Sequence, residues 1–186
     1  MAHEDRTLAV AFLRAVNVGG RTVKMQALRD AFEALGLSRV ETVLASGNVL
    51  FECTSRDWPG LQPRIAAQLA RAWPFEIEVF IRWSAELAAL VARAPFEPSD
   101  IARAGTHVVG FLGAPPAPEA QRRIESWNTA SDRFQCLGRE LHWMSRDTQS
   151  QSKHSAATFE RALGQPITLR GWGTLLRLNA RCGIRV

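Results

Sequence analysis

The segment Thr7-Leu-Ala-Val-Ala-Phe-Leu-Arg-Ala-Val16 is a nearly continuous apolar run of strand length. A strand with water on one face alternates apolar and polar residues, whereas a run without alternation needs cover on both faces, as a central strand has. Asn17-Val-Gly-Gly-Arg-Thr22 then breaks the run, and Met25, Leu28, Phe32 and Leu35 recur at helical spacing before Gly36. The chain therefore opens with a central strand, a glycine turn and a helix that Gly36 caps.

The elements that follow extend this opening into a plait. Val40 to Ala45 and Asn48 to Cys53 read as a hairpin about Ser46-Gly47-Asn48, since Gly and Asn tolerate the positive φ of tight turns. A second helix is predicted from about Asp57, its expected N-cap, to Ala72, and the alternating Ile77 to Arg82 as a strand. The order β-α-β-β-α-β is the split βαβ of the ferredoxin-like plait. Ser84 to Arg93 is predicted as a linking helix, ended by Pro95-Phe-Glu-Pro98.

From Thr106 the same order recurs. A strand to Leu112 is followed by the proline-rich Gly113 to Pro118, a helix from Glu119 to about Asn128, and a hairpin of Arg133 to Leu137 with Glu140 to Met144. A helix from Ser155 to Leu163, a strand at Ile167 to Leu169 and a closing helix from Trp172 to Ala180 complete it. The predicted class is α+β, two consecutive ferredoxin-like plaits with antiparallel sheets plus a C-terminal helix, divided as residues 1–83, 84–104 and 105–186. No repeat is evident in the residues themselves, so the duplication rests on element order.

Composition excludes several classes. Hydrophobic residues make up 46% and charged residues 22%, the balance of a globular protein. No apolar stretch approaches the roughly 20 residues of a membrane span, and no signal-peptide pattern opens the chain, so a cytoplasmic protein with no membrane partner is expected. Cys53, Cys136 and Cys182 are odd in number and scattered, as are His3, His107, His142 and His154, which announces neither a disulfide framework nor a metal site. No cofactor motif is present: the Asn17 to Lys24 segment has neither P-loop nor dinucleotide-binding spacing.

The net charge of +5 favours anionic partners, and residues 94–186 supply +4 of it. Five arginines and no acid follow from Arg161 onward, a pattern shared by nucleic-acid footprints and solvated helix faces.

Leu13-Arg-Ala-Val-Asn-Val-Gly-Gly20, then Val23-Lys-Met25, Leu28-Arg29 and Ser46-Gly-Asn-Val49 through Phe51 together resemble the bacterial domain-of-unknown-function family numbered 1697. The family's C-terminal block is similar to Thr168-Leu-Arg-Gly-Trp-Gly-Thr-Leu-Leu-Arg-Leu178, with Gly171 and Gly173 standing where the family has asparagines. Ser150-Gln-Ser-Lys-His-Ser155 resembles the family's basic, serine-rich approach to its fifth helix. The resemblance implies the tandem plait and brings no established activity.

The chemistry-bearing candidates gather around these segments. Asn17 to Lys24 leads into a helix, where free N–H groups and the helix dipole can hold an anion; Gly19 and Gly20 allow close approach, with Arg14, Arg21 and Lys24 as cations. The same glycines equally serve a turn that needs positive φ. Ser46 lacks a nucleophile-elbow context, and Asn48 could lend an amide to a ligand of the first loop, although the start of the third strand is expected at the opposite end of the sheet.

Lys24 and Lys153 are the two lysines among 23 basic residues, which suggests positions where a compact ammonium is wanted on one concave surface. Arg170, Trp172 and Thr174 could hold a ring and a phosphate at a helix start, with core packing the competing role of the indole. Phe12 and Phe51 lie where RNA-recognition plaits carry stacking aromatics, but the RNP pattern is missing and a covered face would make both core.

No carboxylate pair marks a hydrolase. The favoured expectation is a module binding a phosphorylated ligand, nucleotide or nucleic acid, at Asn17 to Lys24. The alternatives are an enzyme acting on a small anionic metabolite in a cleft between the halves, or a protein-interaction adaptor.

Overall fold

The computed structural model describes residues 6–54 and 58–183. The chain forms two compact units, Met1–Ala89 with Leu178–Val186, and Leu90–Arg177.

In the first unit β1 (Arg6–Leu13), α1 (Met25–Glu33), β2 (Ser38–Thr42), β3 (Asn48–Thr54), α2 (Leu61–Ala72) and β4 (Val79–Trp83) follow the plait order. The sheet order is β2-β3-β1-β4, with every pairing antiparallel. The apolar run behaves as its lack of alternation demands: each residue from Ala9 to Leu13 is at most 1% exposed. Ala9, Ala11 and Leu13 share the helix-side core with Phe51, Leu28 and Phe32 of α1, and Leu61, Ile65 and Leu69 of α2. Val10, Phe12, Leu50 and Phe80 occupy the opposite face and are buried as well.

The register removes the stacking-platform reading. Phe51 lies opposite Ala9 and Phe12 opposite Asn48, so the two rings point to opposite faces of the sheet, and both are fully buried. They are core residues.

The second unit contains α4 (Pro98–Arg103), β5 (Thr106–Leu112), α5 (Pro118–Glu125), β6 (Asp132–Leu137), β7 (Glu140–Ser145), α6 (Ala156–Leu163) and β8 (Ile167–Gly171). Its sheet order, β6-β7-β5-β8, repeats the first, again antiparallel. Phe134, Trp143 and Phe159 fill its helix-side core with Ile124 and Leu163. The helices α3 (Ser84–Ala92) and α7 (Trp172–Arg181) complete the chain. The two four-stranded sheets with their helices make an α+β fold of two ferredoxin-like units plus a C-terminal helix.

Register exposes a repeat that simple inspection misses. Val10 pairs with Leu50 and Arg82, and Val109 pairs with His142 and Arg170. Aligned this way, Thr7-Leu-Ala-Val-Ala-Phe-Leu13 matches Thr106-His-Val-Val-Gly-Phe-Leu112 at Thr, Val, Phe and Leu. Arg82 and Arg170 then coincide, and each donates to the carbonyl of its preceding residue at 2.8 Å. The chain between strand and arginine is longer in the first unit, so no fixed period betrays the repeat.

Local differences from expectation have local causes. α2 starts at Leu61 behind Gly60 in the left-handed region, while the expected cap Asp57 lies outside the described residues. α4 was hidden because Pro95 and Pro98 look like breakers, yet Pro98 sits at the first turn, where a missing N–H costs nothing. β2 begins earlier than predicted and shifts register between Ser38 and Glu41, where Arg39 has φ +49°.

Candidate functional site

Antiparallel pairing decides which loops meet. Leu13 N–H donates to the Gly47 carbonyl at 2.8 Å and Arg14 N–H to the Glu78 carbonyl at 2.9 Å. The loop after β1, the turn before β3 and the approach to β4 therefore lie at one end of the sheet. This corrects the expectation that the start of the third strand lies at the opposite end: a strand antiparallel to β1 must begin where β1 ends.

The loop itself is wound tightly. Ala15, Asn17, Gly19 and Gly20 have φ of +63°, +55°, +60° and +81°. A Cβ on Gly19 or Gly20 would meet nothing within 4 Å, so the protein itself needs these glycines for their backbone conformation only. Asn17 holds the loop in place. Its Nδ2 donates to the Ala45 carbonyl at 2.8 Å, and its Oδ1 accepts from Val23 N–H at 2.8 Å.

Within that frame, Arg21 N–H closes a turn onto the Val18 carbonyl at 3.1 Å. The N–H groups of Gly19, Gly20 and Thr22 have no hydrogen-bond partner among the described residues. Lys24 is exposed at the N-cap of α1, in extended conformation and with no side-chain cap. The Arg21 guanidinium stands 5.1 Å from the centroid of the Phe75 ring.

Other predicted residues support this end rather than line it. Arg14 forms an ion pair with Glu78 at 2.8 Å. Asn48 is fully buried, and its Nδ2 donates to the Val43 carbonyl at 2.8 Å and to Ser46 Oγ at 2.9 Å. Gly47 has no room for a side chain: a Cβ would stand 3.1 Å from the Cβ atoms of both Leu13 and Val16.

The C-terminal candidates belong to the second unit. Arg170 is buried, donates to Thr168 Oγ1 at 2.8 Å, and has its guanidinium pulled down to about 10 by burial. Half-buried Trp172 stacks on His107, with centroids 4.4 Å apart and planes 20° apart, a packing contact for the indole ring. Thr174 is half-buried in the first turn of α7. Burial also holds His107 near 4, and His142 near 4 with the neighbouring His107 lowering it further.

Lys153 lines a cavity of about 510 Å³ with Arg161, Trp127 and His154. Lys24 lies in the other unit and lines neither this cavity nor a neighbouring one of about 510 Å³ that contains Arg103, Arg133 and Arg146. Sequence reasoning singled out none of these arginines for a site except through the regional excess of charge, which was the available signal. Among the described residues there is no group of three or more His, Cys, Asp or Glu that could hold a metal, and no helix long and apolar enough to cross a membrane.

Comparison with known proteins agrees with this architecture. A solved structure of the conserved bacterial protein SP0830 from Streptococcus pneumoniae is similar, with a TM-score of 0.73 at 22% identity, covering 96% of this chain and 99% of that one; the likeness is one of fold. A comparison with curated proteins finds no match. The model of a family described as a protein of unknown function, DUF1697, matches residues 7–142, which run from β1 into β7 and take in the Asn17 to Lys24 loop. The chain belongs to that family.

Proposed function

We propose that this protein is a module that binds a phosphorylated ligand, a nucleotide or nucleic acid, through the Asn17 to Lys24 loop. The supporting observation is the Asn17 clamp. By tying the loop to Val23 and Ala45, it holds Gly19, Gly20 and Thr22, whose N–H groups have no partner among the described residues, beside the exposed Lys24 at the head of a helix. Backbone donors, a helix N-terminus and a lysine are complementary to phosphate oxygens, and side-chain-free glycines let those oxygens approach. Arg21 adds a second cation, while Arg14 is tied to Glu78, and Asn48 fixes the neighbouring hairpin turn through Val43 and Ser46. Binding rather than catalysis is the reading because these groups hold charge, and the Ser46 hydroxyl has no hydrogen-bonded base among the described residues to activate it.

A cytoplasmic setting is part of the proposal. Its support is that Cys53, Cys136 and Cys182 are buried and form no disulfide, a state suited to a reducing compartment.

Thermal denaturation with inorganic phosphate and with nucleotides tests the reading. A ligand that binds the native state alone, at 100 times its Kd, adds about 2.7 kcal/mol of stability and raises Tm. Lys24→Ala should keep the unliganded Tm and lose that rise. A Tm unmoved by any of these ligands would contradict the proposal and leave Gly19-Gly20 as turn geometry.

A further inference from the structure

We propose a second binding surface, in the unit Leu90–Arg177: a basic groove that takes single-stranded nucleic acid by its phosphates. It uses none of the residues of the first loop and stands whether or not that loop binds a ligand.

Two cavities of about 510 Å³ each share Thr129 as a common wall. One contains Arg133 and Arg146, the other Lys153 and Arg161, and all four side chains are exposed with no ion-pair partner among the described residues. The single carboxylate in either lining, Asp100, is paired with Arg103 at 3.9 Å. The +4 excess of residues 94–186 thus includes four exposed cations lining adjoining cavities, none of them in an ion pair among the described residues. Such a surface presents positive potential to an anionic ligand.

The division into two adjoining cavities, each with two cations outside any ion pair among the described residues, suits several linked phosphates better than one compact anion. The shared wall is firm: Thr129 Oγ1 accepts from Ser131 N–H at 3.2 Å and Asp132 N–H at 2.9 Å, and Thr129 N–H donates to the Asp132 carbonyl at 2.8 Å. Thr158 adds a hydroxyl for phosphate oxygens in the second cavity.

The second cavity also supplies a stacking surface. Trp127 is half-buried and its ring is held on His154, with centroids 5.3 Å and planes 22° apart. His154 lines the same cavity, is 6% exposed, and has a buried Nδ1 without a hydrogen-bond partner. An aromatic plane among phosphate-binding cations is the combination that holds unpaired bases without reading their sequence.

Fluorescence anisotropy of a labelled oligothymidylate of about twelve nucleotides tests this, with the intact protein titrated between about 50 and 200 mM salt. Four phosphate contacts predict that log K falls against log salt with a slope of about −2.8, from about −0.7 per contact on a single strand. Arg133→Ala with Arg146→Ala should bring the slope to about −1.4. Arg122→Ala with Arg123→Ala, the same charge change on exposed residues outside the groove, should leave it in place. Circular dichroism checks that both variants are folded.

Absence of binding at the low-salt end would overturn the proposal. So would equal losses in the two double variants, which would mean diffuse attraction, or full competition by millimolar inorganic phosphate, which would mean a small-anion pocket. Lys24→Ala separates the two surfaces: the drop of about 1.4 in slope caused by Arg133→Ala with Arg146→Ala should persist in the Lys24→Ala background, and a loss of oligonucleotide binding confined to Lys24→Ala would refute the groove while favouring the loop.

Discussion

The two units are built on one register and differ where chemistry would reside. In both, the residue that ends the central strand donates to a hairpin carbonyl, Leu13 to Gly47 at 2.8 Å and Leu112 to Arg139 at 2.9 Å. In both, an arginine on the last strand is buried. After that common point the first unit makes a glycine loop held by Asn17. The second makes Gly113-Ala-Pro-Pro-Ala117, which Gln165 ties through Ala114 and which leads to Pro118 at the start of α5. The opposite sheet faces differ as well, since the position of Leu50 in the first unit is held by His142 in the second. Apolar register sets the framework, and the loop and one sheet face are free to diverge on it.

The strongest test of the shared register is removal of its equivalent rings. Phe12 and Phe111 are both fully buried on central strands. Phe12→Ala and Phe111→Ala should each lower stability by about 3–5 kcal/mol in urea denaturation. A near-neutral result for one of them would break the equivalence of the two strands.

Acid should separate the units next. His142 is held near 4 by burial and by His107, whereas an unfolded histidine titrates near 6.5. As pH falls from 6.5 towards 4 the unfolded chain takes up the proton first, so stability present above 6.5 is lost through that window. The loss from His142 is about 3 kcal/mol when complete. His107, half-buried, adds a smaller amount of the same sign because solvent screens it. His142→Leu, which installs the residue of the first unit, should flatten the dependence of Tm on pH over this range; an unchanged profile would mean that the imidazole is not what senses acid.

A smaller effect sharpens the contrast between loops. Asn17→Ala removes two hydrogen bonds made from within the loop, where the second unit is tied from outside its loop by Gln165, and should cost about 1–3 kcal/mol. Urea denaturation reads this, and a cost below about 0.5 kcal/mol would show that the clamp does not hold the loop. The smallest difference concerns the hairpin glycines. Gly47→Ala meets both left-handed strain and contact with Leu13 and Val16, whereas Gly138→Ala, at φ +58° in near-open space, meets the strain alone, about 1–2 kcal/mol. Equal Tm losses would remove the packing role given to Gly47.

Element order was legible because burial leaves a periodic trace: the unalternated Thr7 to Val16 run required a central strand, and the spacing of Leu28 and Phe32 required a helix face. The repeat was not, since its matches lie at positions that only strand pairing aligns. The loop was legible as a cluster of glycines and cations, but the decisive atom set was not. That Asn17 would clamp the loop while Asn48 would be consumed inside its own hairpin depends on side-chain direction, which spacing does not encode. The arginine cavities were visible only as a regional charge, because Arg133, Arg146 and Arg161 come from separate elements.

The central claim, that the first loop is built for an anion and its counterpart is not, is tested most directly by amide NMR during titration with inorganic phosphate. The account predicts saturable shifts of the Gly19 and Gly20 amides and none at Gly113, the glycine that follows β5. Stationary Gly19 and Gly20 resonances, or shifts of all three glycines together, would contradict it.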